Sequence, residues 1–238
     1  MCILVFAMNY FAHALPFLDQ PYFAAGTGVP DWLCVADRAV RLRSKHAEAF
    51  SDDQDPAATA VVQGVLQHLR DDAYFHTTRA FAETSIALAV MARDVLDGET
   101  GMRPAFLGHL LTELLLDAAL IADHADRLAE YYRILDAVDP GKVEAAVNRI
   151  APRPTQRLAT FIGLFLRERI LWNYLEDEKL GLRLNQIMHR VRLEVLPARF
   201  LAILPDARRL VTERKDALLE GTGTGIGVAS GSWRVAGA

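Results

Sequence analysis

Cysteine is nearly absent from this 238-residue chain: Cys2 and Cys34 are the only two, with no CxxC spacing. That excludes a disulfide framework and argues against a closed, cysteine-ligated structural zinc site; a reducing cytoplasm is the expected compartment. An excess of positive charge is also missing. Lys and Arg total 26 against 30 Asp and Glu, a net charge of −4 with a pI near 6.0. No general attraction to nucleic acid or to an anionic membrane is therefore expected. No uninterrupted apolar run reaches the roughly 18 residues of a bilayer-crossing helix, so no membrane span is expected. The opening MCILVFAMNYFAHALPFL lacks the basic start and small-residue cleavage site of a signal peptide. No internal repeat of about 20–50 residues and no alternating strand pattern is present.

Apolar residues, in contrast, make up 52% of the chain and charged residues 24%. That suits a well-cored globular protein and argues against wholesale disorder. The periodicity predicts an all-α fold: a single-domain helical bundle over residues 8–220, followed by a disordered glycine-rich tail over 221–238. A short buried helix is expected over 9–18. Gly26, Gly28 and Pro30 are then expected to end it and force an irregular connection. Asp31, after the proline, either caps a helix over 32–50 or serves as a ligand. Arg38, Arg41, Arg43 and Lys45 make that helix basic, as a solvated face or an anion-attracting rim.

Helices are also expected from Pro56 to about residue 78, onward to 96, and from Pro104 to Asp123. Beyond the break at Asp139-Pro140-Gly141 they are expected over 142–150, 155–178, 180–196 and 206–220.

The stretch 104–123, PAFLGHLLTELLLDAALIAD, organises the reading. It is apolar on most of its circumference, yet His109, Glu113 and Asp117 interrupt it at four-residue steps. On a turn of about 3.6 residues these positions form one stripe. Carboxylates sunk with that much leucine are costly unless paired, protonated or bound to metal. The stretch 64–81 repeats the pattern with His68, Asp72 and His76. Two facing helices with such rows are what a metal site in a bundle core requires.

The candidate ligands are His13, Asp31, His68, Asp72, His76, His109, Glu113 and Asp117. Mixed imidazole and carboxylate ligation suits Mn, Fe or Zn. These residues exceed what one ion uses. Either two ions share bridging carboxylates, or some residues orient the ligands from behind. Two divalent ions would suit hydrolysis of a phosphodiester, with Asp72 or Glu113 accepting the proton of the attacking water. Arg70 and Arg79 flank the first row and are candidates for holding non-bridging oxygens. His46, His124 and His189 carry less of this pattern. The competing reading is a non-catalytic binding protein in which the same rows form a buried polar network without an ion.

The run Met8-Asn9-Tyr10-Phe11-Ala12-His13 and the Gly64-x3-His68-x3-Asp72 spacing resemble the acyl carrier protein phosphodiesterase family, related to the HD-type metal phosphohydrolases. The resemblance spans roughly residues 8–120. It implies a helical hydrolase, dependent on Mn or a similar ion, that releases 4′-phosphopantetheine from acyl carrier protein. This chain departs from the family pattern in having His109-x3-Glu113-x3-Asp117, and His76 where an acid is expected. The Gly26–Asp31 segment and the later Gly-His-x3-Glu are similar to helical zinc-dependent phospholipase C and the P1-type nucleases. The two resemblances differ in substrate and agree on phosphodiester hydrolysis.

Overall fold

In the computed structural model, which describes residues 9–50, 54–97 and 102–222, helix follows helix without a strand among the described residues. The N-terminal half holds α1 (Tyr10–Ala14), α2 (Pro21–Ala36), α3 (Ser44–Ala47), α4 (Pro56–Phe75), α5 (Arg79–Val95) and α6 (Met102–Asp123). The C-terminal half holds α7 (Ala125–Asp136), α8 (Pro140–Ile150), α9 (Leu158–Glu168), α10 (Asp177–Val191) and α11 (Leu204–Leu219). The all-α bundle expected from the periodicity is what the chain forms. Residue 8, the loop 51–53, residues 98–101 of the expected turn, and residues 223–238 of the expected tail lie outside the described residues.

Local chemistry sets several helix starts. Pro56 and Pro140 occupy first-turn positions, where a missing N–H costs nothing. Asp55 caps α4 by accepting from Ala57 N, and Asp139 caps α8 by accepting from Gly141 N. The helix expected over 155–178 is instead divided at Arg169, whose backbone is left-handed at φ 45° and ends α9 before a 3-10 segment, Ile170–Leu175.

α6 is the centre. Leu107, Leu110, Leu111, Leu114, Leu120 and Ile121 are all fully buried. α5 and α11 pack against it on one side, with α1, α7 and the 170–175 segment on others. By length and composition alone Arg103–Asp123 would also fit a bilayer, but 78% of that apolar window is buried inside the bundle.

Around α2, two sequence-based expectations are overturned. Gly26, Gly28 and Pro30 do not end a helix; all three lie inside α2. Proline in a helix interior costs about 3 kcal/mol. Full burial of Val29, Trp32 and Leu33 on the same helix contributes about 1.5–3 kcal/mol each and offsets that cost. The glycines serve packing. Among the described residues α2 and α4 make the most extensive helix contact, crossing where Gly26 meets Gly64. A methyl group on Gly64 would overlap the carbonyl oxygen of Phe23, and one on Gly26 that of Val61. Asp31 consequently sits within α2 and is not a cap. The expected basic helix over 32–50 is also absent: residues 37–43 are irregular, and Arg38, Arg41, Arg43 and Lys45 are exposed.

Candidate metal centre

The two rows meet at one end, where His76 reaches His109 and Glu113; His68 and Asp72 lie instead with His13 of α1. α4 presents His68 and Asp72 along one line, with His76 as its C-terminal cap, and α6 presents His109 and Glu113. α1 contributes His13 and α2 contributes Asp31. Together they form two groups. His13, His68 and Asp72 each offer a ligand atom within 4.8 Å of the others, and so do His76, His109 and Glu113.

Asp72 and His76 connect the groups, with Asp72 Oδ1 lying 3.3 Å from His76 Nδ1. His76 Nε2 is hydrogen-bonded to Glu113 Oε1 at 2.9 Å. His109 Nε2 approaches the same oxygen to 3.0 Å but is not aligned for a hydrogen bond. The rings of His76 and His109 stack at 4.7 Å, and those of His13 and His68 lie 4.2 Å apart. Phe81 of α5 sets its ring edge-on to both His76 and His109, walling that side. Asp31 Oδ1 stands 4.0 Å from His68 Nε2.

The electrostatics favour a cation. Burial, followed by repulsion from Glu113, Asp72 and Asp117, raises the Asp31 carboxyl well above the usual range. Burial would also raise Asp72 and Glu113. The adjacent imidazoles override it and lower both. Burial lowers His68 to about 3, with His13 adding to the effect, so its ring is neutral as a metal ligand must be. For His76 burial works against protonation, but Asp72 and Glu113 raise it to about 10.

Both ring nitrogens of His13, His68 Nδ1 and Asp31 Oδ2 are buried without a hydrogen-bond partner. Each such atom costs about 1–3 kcal/mol if nothing fills its lone pair or satisfies its proton. Imidazole nitrogens and carboxylate oxygens in this arrangement fit a divalent ion, and two groups of the described residues have the composition to hold one. The site is not sealed. Side-chain exposures of 24% at Asp72, 18% at His76 and 20% at His109 put its open edge there.

Asp117, on the same stripe of α6, falls outside both groups. Its two carboxylate oxygens accept the backbone N–H groups of Phe11, at 3.0 Å, and Ala12, at 2.8 Å. It therefore holds the start of α1 and positions His13. Asp117→Asn replaces one acceptor by a donor against a buried N–H. A loss of about 1–3 kcal/mol in urea unfolding is expected, with weaker metal retention because His13 is no longer held in place.

The two arginines proposed from sequence turn away. Arg70 is exposed and donates to Gln67 Oε1 at 2.9 Å; two residues beyond His68, it lies on the opposite side of α4. Arg79 is 90% exposed and paired with Glu83 at 2.6 Å. His46, His124 and His189 belong to neither group.

Asp71 is a residue the four-step spacing missed. It is 5% exposed, is held by Gln67 Nε2 at 2.9 and 3.0 Å, and turns Oδ2 toward His13 Nδ1 at 3.8 Å. The doublet Asp71-Asp72 was the available signal: adjacent helix positions about 100° apart let one acid join His68 and His76 while the other turns to Gln67 and His13.

No protein-family model, curated protein or solved structure matches the chain.

Proposed function

We propose that the protein is a divalent-metal-dependent hydrolase of phosphodiesters, in which His13, His68 and Asp72 would hold one ion and His76, His109 and Glu113 could hold a second. The observation that carries this reading is the convergence of His13, His68, Asp72, His76, His109 and Glu113 from three helices, with unpartnered ring nitrogens at its centre. Asp31 completes the set from a fourth helix, 4.0 Å from His68. Such ions supply Lewis-acid stabilisation of a phosphoryl group and make water a stronger acid.

The chain's own residues divide the remaining work. His13 and His68 supply neutral imidazoles to one group, and His109 and Glu113 define the other. Asp72, the partly exposed carboxylate between them, accepts a proton at Oδ1 from water attacking in line with the departing alcohol. Asp71 and Asp117 orient His13. Arg70 and Arg79, turned to solvent, take no part in this.

The test is hydrolysis of bis-(4-nitrophenyl) phosphate after loading separately with Mn, Fe or Zn. Turnover that chelation abolishes is expected, with weaker activity on 4-nitrophenyl phosphate. Preference for the monoester would overturn the diester assignment. Holo-acyl carrier protein is the natural-substrate arm suggested by the sequence resemblance, read as release of 4′-phosphopantetheine.

One observation favours a second reading, an ion-free polar network. Protonated His76 bridges Asp72 and Glu113 and balances part of their charge. It leaves His13, His68 and Asp31 unsatisfied. Metal analysis of protein purified without chelator separates the two.

A further inference from the structure

A cavity of about 250 Å³ lies between α9, the 170–175 segment and α10. It is lined by Phe161, Leu164, Phe165, Ile170 and Ile187, with Tyr10 at its inner wall. The lining is mostly apolar, with the polar groups few and distinct. Tyr10 is 1% exposed, and its hydroxyl has no hydrogen-bond partner. Arg183 and Arg190 contribute the positive charge. Arg183 spends its guanidinium on the neutral oxygens of Gln186 and, with its amide suitably turned, Asn173. Arg190 makes no ion pair with a described carboxylate; its carbonyl accepts from Arg38, which brings a further cation to this side of the molecule. The one acid in the lining, Glu168, is paired with Arg167 at 3.2 Å.

From this arrangement we infer that the cavity binds a free single-chain anionic amphiphile: a medium-length alkyl tail among the phenylalanines and a carboxylate or phosphate head at Arg183 and Arg190. The charge complementarity sets the sign of the head. The apolar lining has room for a medium-length alkyl tail. An apolar cavity with a few convergent polar groups is the ordinary form of a small-molecule site. The inference stands apart from the proposed hydrolysis, because none of the metal-group residues lines this cavity.

Binding is read by calorimetry and by intrinsic tryptophan fluorescence, to which Trp32, 5.4 Å from Phe165, and Trp172 of the 170–175 segment contribute. The probes are decanoate, decyl phosphate, decyltrimethylammonium and decanol, each below its micellar concentration. Decanoate and decyl phosphate are expected to bind saturably at one site. The cation is expected to bind at least tenfold more weakly, with decanol between.

Arg190→Gln is expected to weaken decanoate at least threefold, and the Arg183→Gln/Arg190→Gln pair at least tenfold. Leu164→Trp, at a 41%-exposed position on the lining, is expected to fill the cavity and abolish binding. Circular dichroism checks that each variant folds, and Arg190→Gln serves if the double variant does not. Equal affinity for anionic and cationic probes would overturn the inference, as would decanoate binding that survives Leu164→Trp. Association with phosphatidylglycerol vesicles without saturable decanoate binding would replace the free amphiphile with a membrane surface, and so also overturn it.

Discussion

Alanine at His68 is expected to strip the protein of divalent metal while leaving its helicity intact. His68 is buried, contributes to the first ligand group and has an unpartnered Nδ1. Purified without chelator, the unaltered protein is expected to retain about one to two equivalents of Mn, Fe or Zn, as expected for a one- or two-ion centre. The variant should hold under about half an equivalent by elemental analysis. Added metal at 100-fold over Kd stabilises a folded protein by about 2.7 kcal/mol, a rise in Tm of about 5–11 °C at this chain length. That rise should vanish in His68→Ala and persist in His189→Ala, whose residue is exposed and outside both groups. His109→Ala tests the second group in the same way. Full metal content in both ligand variants would mean that the two rows are not the metal site.

The second large effect concerns the skeleton under the site. Gly64→Ala is expected to destabilise the protein by about 3 kcal/mol, the upper end of overpacking penalties, and to lower Tm by about 6–12 °C. The added methyl meets the backbone carbonyl of Phe23, and a Cβ on the facing Gly26 would lie 3.0 Å from Gly64 Cα. Backbone cannot rotate aside as a side chain can. Gly163→Ala is the matched control. Gly163 lies in α9 with open space around its would-be Cβ, so the same change there is expected to add about 0.5–1 kcal/mol. Thermal melts of the two variants should move in opposite directions. α2 carries Asp31 while α4 carries His68 and Asp72, so Gly64→Ala should also loosen metal retention.

These two variants mark what a single chain reading could and could not deliver. The rows on α4 and α6 were legible because helical spacing is local: four-residue steps align side chains whatever surrounds them. The leucines around Glu113 announced its burial for the same reason. The partners of these residues were not legible. Asp117 has the right stripe and the right burial, but its oxygens meet backbone N–H groups about 105 residues away. Nothing near Asp117 in sequence records that. Gly26 and Pro30 carry strong local signals for ending a helix, and tertiary burial overrides them at the crossing with Gly64. Arg70 and Arg79 were adjacent to ligands in sequence but not in space: Arg70 lies two residues, about 200°, from His68 on α4, and Arg79 begins a different helix, α5, beyond the turn after His76.

The five-residue α1 has no side-chain cap of its own, because Asn9 makes no capping bond. Its start is secured instead by Asp117. During synthesis, His13, Asp31, His68, Asp72 and His76 emerge from the ribosome before any residue of α6. At about 5–20 residues per second, translation from His76 to Asp117 takes only seconds. Throughout that interval the nascent chain exposes five ligand-type side chains that belong to an unfinished centre. The group of His13, His68 and Asp72 is thus complete in the chain before α6 is made, whereas the group of His76, His109 and Glu113 can assemble only once that helix docks.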